Sequence, residues 1–402
     1  MDSAVSTAAR ALGTGDPLLA LKHVALRSDP AALALRGIAF AQLGELRVAR
    51  QLLRRAGRGF GEAESKARAR CVVAQAEIAL AERDLAGATR GLEEAVKVLA
   101  RGGDVANAAL GRLLQARRAV WLGDLEDAER ALSRLSLAGA PARFVAIARL
   151  ITGDIAMKRG RSEAAGAALS AALSAARASG IAALRFEAEE AIQRLRAPVA
   201  RVIDHLGERQ LRLAELEALR GSKRLLLDLG RRELRRGAEV VSLVTRPILL
   251  ELLAALAERA ADEVPRDVLI TRVFGARRVN ESHRARLRVE VGRLRKLVSA
   301  QAEIGATAAG YALVPRGGER IVRLLPIEDD EASALRALLL SGEAWATSAL
   351  GKSQRAVQRA LAALEAQGKV RGVGGGRSRR WVAQAGGGFA TTLLLVAPGT
   401  LG

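Results

Sequence analysis

Between residues 281 and 300, apolar side chains return at Leu287, Val291, Leu294 and Val298, a spacing that lays one stripe along an α-helix. The other faces carry Arg284, Arg286, Arg288, Arg293, Arg295 and Lys296. Projected at about 100° per residue, Arg286, Arg293 and Lys296 stand most nearly opposite the stripe, with Ser282 on the same face. Arg284, Arg288 and Arg295 fall towards its borders, where a phosphate or a local carboxylate is the natural partner. Residues 306–314, with Thr307, Gly310 and Tyr311, then have the content of a short strand pair. A helix with one apolar stripe and a basic opposite face, followed by a hairpin, suits a major groove and the adjacent backbone.

Upstream, Leu225 to Leu229, Glu233 to Arg235 and Val240 to Val244 are short segments split by Gly230 and Gly237, which predicts a small antiparallel sheet. Thr245 is the expected cap of a helix with Pro247 in its first turn, running to about Ala260 through Leu249, Leu252, Leu253 and Leu256. A second helix is expected from Pro265 to Gly275. The charged stretch 199–221 reads as one linker helix.

Residues 1–198 repeat. The segment beginning Ala39-Phe40-Ala41-Gln42-Leu43-Gly44 recurs from Ala79, from Ala119 and from Ala156, with offsets of 39, 40 and 37 residues. Each copy has a small or apolar helix end, a polar turn and an alanine-rich second helix, so stacked antiparallel pairs would bury a continuous core. A third unit, 327–402, opens on the acidic run Glu328-Asp329-Asp330-Glu331. Short helices are expected at 334–340 and 345–350, and a longer one, capped by Ser353 and ended by Gly368, buries Val357, Leu361 and Leu364. On that helix Arg355 and Arg359 project outward beside Gln358 and Lys352; a hairpin follows whose tip Gly374-Gly375-Gly376-Arg377-Ser378 is basic and whose second strand opens on Arg379 and Arg380, and 389–396 is a candidate edge strand.

The repeats resemble the tetratricopeptide repeat, whose concave face commonly takes a peptide or protein partner or dimerises. Residues 222–326 resemble the winged-helix effector domain of OmpR and PhoB response regulators, most closely in Arg293-Leu294-Arg295-Lys296-Leu297 and in Thr307-Ala308-Ala309-Gly310-Tyr311. Nothing upstream resembles a phosphoacceptor receiver domain. Actinobacterial antibiotic regulators join similar parts in the opposite order. Residues 328–384 resemble a second winged helix-turn-helix. The expected fold is therefore mainly α: an N-terminal tetratricopeptide-like α-solenoid followed by two winged-helix α+β domains.

Charge changes the picture by its placement. Residues 271–300 hold 9 basic and 2 acidic residues and 351–402 hold 8 and 1, against 30 and 21 over the first 200. Such concentration points to a polyanion partner. The single cysteine, Cys71, excludes an intrachain disulfide framework and fits a reducing cytoplasm. The N-terminus does not read as a signal peptide, and the apolar run at 393–397 is too short for a membrane span. His23, His205 and His283 have no metal-ligand spacing, and Gly374-Gly375-Gly376 lacks the Lys-Ser/Thr of a phosphate-binding loop. No catalytic, metal or cofactor site is expected.

The reading is a bacterial, cytoplasmic, nucleoid-associated transcriptional regulator of double-stranded DNA, not an enzyme, whose repeat domain meets a protein or peptide partner. Its DNA contacts are assigned to Ser282, Arg284, Arg286, Arg288, Arg293, Arg295, Lys296 and Thr307, and in the third unit to Lys352, Arg355, Gln358, Arg359, Arg377, Arg379 and Arg380. The two recognition helices either occupy two half-sites from one chain or serve one site each from a homodimer. The alternatives are a plasmid replication initiator, a nucleoid-organising protein, or a protein-interaction scaffold.

Overall fold

The structure is a computed structural model, and it describes residues 3–13, 16–82, 84–85, 87–259, 262–276, 278–327, 354–367, 370–373 and 380–383. These are mostly helical, with a smaller share of sheet. They fall into two compact units, one drawn from Met1–Ile155 and Ala165–Ile192, the other from Ala156–Ala164 and Gln193–Ala385. No helix among the described residues is long and apolar enough to cross a membrane.

The first unit is built from helices that follow one another closely: α1 (Ser3–Gly13), α2 (Pro17–Val24), α3 (Pro30–Gln42), α4 (Leu46–Gly59), α5 (Ser65–Ala81), α6 (Leu92–Arg101), α7 (Val105–Leu122), α8 (Leu125–Ser133), α9 (Ala142–Lys158), α10 (Ser162–Ser179) and α11 (Ala182–Arg196). From α1 to α8 each helix packs on the next. Several of these helices start on a capping aspartate. Asp29, Asp104 and Asp124 accept from the backbone N–H groups of Ala32, Asn107 and Asp127, donors that the helix itself leaves open. The four repeat copies mark the ends of α3, α5, α7 and α9. The second copy departs from the others: a 3-10 turn at Gly87–Thr89 intervenes before α6. Gly111 shows why small residues recur here, because a Cβ at that position would come within 2.4 Å of the Val96 Cγ2 atom, so α6 and α7 approach only over glycine.

The second unit is organised by a six-stranded sheet ordered β2-β1-β9-β3-β4-β5. Its strands are β1 (Pro198–Asp204), β2 (Gly207–Arg212), β3 (Leu225–Asp228), β4 (Glu233–Arg236), β5 (Glu239–Ser242) and β9 (Val322–Leu325). Here the linker reading is corrected: 199–221 is not one helix but the β1–β2 hairpin followed by α12 (Leu213–Gly221). Ala200, Val202 and Leu211 are buried on one face of that hairpin, packed with Leu226, Val322 and Leu324. The strand β9 completes the arrangement, antiparallel to β1 with Val202 opposite Leu324, and parallel to β3 with Leu227 opposite Arg323.

Between β5 and β9 come α13 (Pro247–Ala257), β6 (Val264–Pro265), α14 (Arg266–Phe274), α15 (Glu281–Val298), β7 (Ala302–Ala306) and β8 (Gly310–Pro315), the last two forming a three-stranded sheet with β6 at its edge. Thr245 does not cap α13. The capping position falls to Arg246, whose side chain makes no capping bond, with Pro247 in the first turn as expected. Gly310 is fixed by close approach: a Cβ there would lie 1.9 Å from the Val264 carbonyl oxygen, which would push β8 off β6.

Of the third unit, α16 (Gln354–Ala366) and the antiparallel pair β10 (Val370–Val373) and β11 (Arg380–Ala383) are described. Val357, Leu361, Leu364, Val370 and Trp381 are buried. The readings at 328–353, 368–369, 374–379 and 389–396 lie outside the described residues.

Candidate nucleic-acid interface

The helix α15 is placed by its two ends and its buried stripe. Asn280 caps it, the side-chain oxygen accepting from the His283 N–H at 2.9 Å. Leu287, Val291, Leu294 and Val298 then sink into a core shared with Leu252, Leu253 and Leu256 of α13, Leu269 and Ile270 of α14, and Ile304, Tyr311 and Leu313 of the hairpin. With one stripe held this way, the rotation of the helix is set. Ser282, Arg286, Val289, Arg293 and Lys296 form a continuous exposed line on the opposite side. Val289, 53% exposed in the middle of that line, was not singled out from the sequence. Its signal was an apolar residue out of phase with the core.

The basic residues divide by what they touch. The Arg286 guanidinium lies over the Phe274 ring at 4.5 Å, and neither it nor Lys296 meets a carboxylate among the described residues. Arg293 donates to the Glu290 carboxylate at 3.0 Å, yet its own side chain is 65% exposed. Arg284 sits 3.7 Å from Glu281 and 3.8 Å from Asp267, and Arg288 reaches Glu281 at 3.0 Å, so the two border arginines share local carboxylates. Arg295 points back, donating from Nε to the Ile304 carbonyl at 2.7 Å and resting over the Tyr311 ring. It fastens the hairpin to the helix.

Thr307 is likewise occupied. Its hydroxyl accepts from the Gly310 N–H at 2.9 Å and closes the β7–β8 turn. Arg266, which sequence reasoning missed, braces the same turn by donating to the carbonyls of Ala308 at 2.8 Å and Thr307 at 3.0 Å. Its role depends on strand β6 bringing α14 beside the hairpin, which a two-residue strand does not announce.

A second feature adjoins the exposed line. Thr245, Arg246 and Pro247, at the start of α13, line an open hollow of about 670 Å³ together with Glu290, Arg293 and Lys296. The first-turn N–H groups of a helix and its positive dipole end favour an anion, and here two arginines and a lysine surround them. The hollow is several times larger than one phosphate group, and Glu290, paired to Arg293, also lines it.

The angle between α13 and α14 is held by a charged knot. Arg272 donates to the Glu258 carboxylate, with a 2.6 Å contact from Nη2, and also reaches Glu251 at 3.3 Å; Arg323 on β9 lies 3.2 Å from Glu258. The hydrogen bond from Arg272 holds the Glu258 carboxyl below its ordinary range, with the charges of Arg272 and Arg323 acting in the same direction against partial burial.

On α16, Arg359 is exposed opposite the buried Val357, Leu361 and Leu364, and Gln358 is exposed on the flank. Arg355 and Arg380 lie on described backbone, in α16 and β11, and their side chains are outside the described residues, as are Lys352, Arg377 and Arg379 entirely. The structure thus gathers Ser282, Arg286, Arg293 and Lys296 on one face. It assigns Arg295 and Thr307 to the fold, and shows two of the seven candidates of the third unit.

Elsewhere, no group of three or more His, Cys, Asp or Glu among the described residues is arranged to hold a metal ion. Burial pushes the Cys71 thiol up to about 12, so it stays protonated at neutral pH and is a poor nucleophile. Compared with protein-family models, with curated proteins and with solved structures, the chain matches none.

Proposed function

We propose that the chain is a sequence-specific, double-stranded-DNA-binding transcriptional regulator in which α15 enters a major groove. The exposed line Ser282–Arg286–Val289–Arg293–Lys296 carries this reading, because the four core residues opposite leave α15 no other way to face. At 18 residues the helix is about 27 Å long, enough to lie along a groove about 12 Å wide. A guanidinium takes the paired acceptors of guanine, and an exposed valine suits the methyl group of thymine. Phosphates sit at the start of α13 beside Arg246 and Lys296, giving register and salt-dependent affinity.

The order of sheet, three helices and hairpin supports assigning β3 to β8 as a winged helix of the OmpR and PhoB kind. Helix α16 with β10 and β11 is the counterpart in a second one. On this reading α3 to α10 form a tetratricopeptide-like solenoid that recruits or senses a partner, and the protein acts in the cytoplasm at the nucleoid. The test is fluorescence anisotropy on the full chain with a selected and a scrambled duplex across a salt series. Tighter binding of the selected duplex is expected, with both affinities falling linearly in log salt. Equal affinity for both leaves only an architectural role, and no binding to either removes the proposal.

A further inference from the structure

Apart from α15, the first unit has a concentration of positive charge of its own. Arg54 and Arg58, one helical turn apart on α4, face Arg68, Val72 and Gln75 on α5 across an open cavity of about 420 Å³, and Arg90 closes a third side. No acidic and no aromatic side chain lines it. The more buried arginines of this unit are matched, Arg70 with Asp104 at 2.5 Å, Arg117 with Glu187 at 3.0 Å, and Arg50 with Glu82, whereas the cavity gathers in one place four that are unmatched among the described residues. None of the four around the cavity has an ion pair or hydrogen bond to another described residue. Four like charges pointed into one hollow repel one another, and a multivalent anion relieves that repulsion.

We propose that this cavity binds a compact small molecule bearing linked phosphates, clamped between the α4 and α5 arginines. Each guanidinium fork matches two oxygens of a phosphate. A phosphate group carries up to about two charges near pH 7 in a small volume, whereas successive carboxylates of an extended peptide supply one charge about every 3.3 Å. A cavity of this size therefore collects enough negative charge from a diphosphate or triphosphate and too little from an acidic peptide. The absence of lining aromatics places recognition in the phosphates rather than in a stacked base. The inference does not depend on the DNA reading.

The experiment is isothermal titration calorimetry of the full chain with inorganic tripolyphosphate, pyrophosphate and citrate at near-physiological salt. One saturable site is expected, tightest for tripolyphosphate and weakest for citrate. Replacing two charged donors by Arg54→Gln with Arg68→Gln should weaken tripolyphosphate by at least about tenfold. Arg55→Gln, an exposed α4 residue outside the cavity, should leave it within about twofold. If the double variant melts lower than the parent, Arg90→Gln at the exposed rim gives the same comparison. The proposal is overturned by the absence of saturable binding, or by citrate binding as tightly as tripolyphosphate. It is equally overturned if the Arg54/Arg68 variant keeps anion affinity while losing affinity for duplex DNA, which would make the cavity part of a nucleic-acid contact.

Discussion

Arginine behaves differently on α7 and on α15. Arg117, with its side chain only 5% exposed, meets Glu187 of α11 at 3.0 Å, and the pair closes the interior between two helices. Arg286, on an exposed face, lies over the Phe274 ring and meets no described carboxylate. Of the carboxylates near α15, Glu281 and Asp267 are taken up by the border arginines Arg284 and Arg288, and Glu290 by Arg293. A desolvated guanidinium needs its counter-charge inside the protein, whereas an exposed one can wait for it to arrive with a ligand. The contrast separates arginines that hold the fold from arginines held in reserve, a distinction that composition hides.

The largest expected effect is on stability. Arg117→Ala removes the buried cation facing Glu187 and should cost about 3–5 kcal/mol in urea denaturation, whereas Arg286→Ala should stay within about 1 kcal/mol of the parent. Comparable losses for both would erase the distinction. On binding the order should reverse. Arg286→Ala and Arg293→Ala should each remove about 1–3 kcal/mol of discrimination between a selected and a scrambled duplex by anisotropy, while Arg117→Ala in any folded fraction leaves it intact.

A smaller effect separates the two classes by pH. Glu258, paired to Arg272 and Arg323, titrates lower in the folded protein than its ordinary value of 4.5. A lowered folded value means the unfolded chain binds the proton first. The pair's contribution is then full above about pH 4.5 and is lost as pH falls through the folded value. Melting temperature should fall over that acid range, and Glu258→Gln should flatten part of the fall. Arg286→Ala should leave the profile unchanged. The smallest change expected is for Val289→Ala, a loss of up to about 1 kcal/mol confined to duplexes with thymine at one position of the site, read by comparing single-base variants.

The stripe of α15 was legible because both its signals are local: a 3.6-residue period and closely spaced basic side chains on the other faces. The β3–β4–β5 meander was legible for the same reason, its turns marked by Gly230 and Gly237. The β1–β2 hairpin was missed although β1 carries the β-branched Val199, Val202 and Ile203 and Gly207 sits in its turn, because the Leu, Glu and Arg of the following β2 and α12 drew the whole stretch towards a helix reading; β1 is further held by β9, more than a hundred residues downstream. Thr307 and Arg295 show the same limit in the site. Both looked like contacts because they are polar and near the basic face, but their polar atoms are satisfied by Gly310 and Ile304, which only the folded hairpin brings within reach. The hollow at the start of α13 escaped for a related reason, because Arg246 and Lys296 are 50 positions apart in the chain and meet only once α13 packs on α15.

The decisive measurement is a selection of genomic DNA fragments on the full chain at near-physiological salt, run beside the Arg286→Ala/Arg293→Ala variant, with sequencing of what each retains. A short motif enriched by the parent and lost by the variant, while both melt at the same temperature, is the expected result. The same fragments retained by both, or none retained by the parent, would contradict the assignment of α15 as the helix that reads DNA.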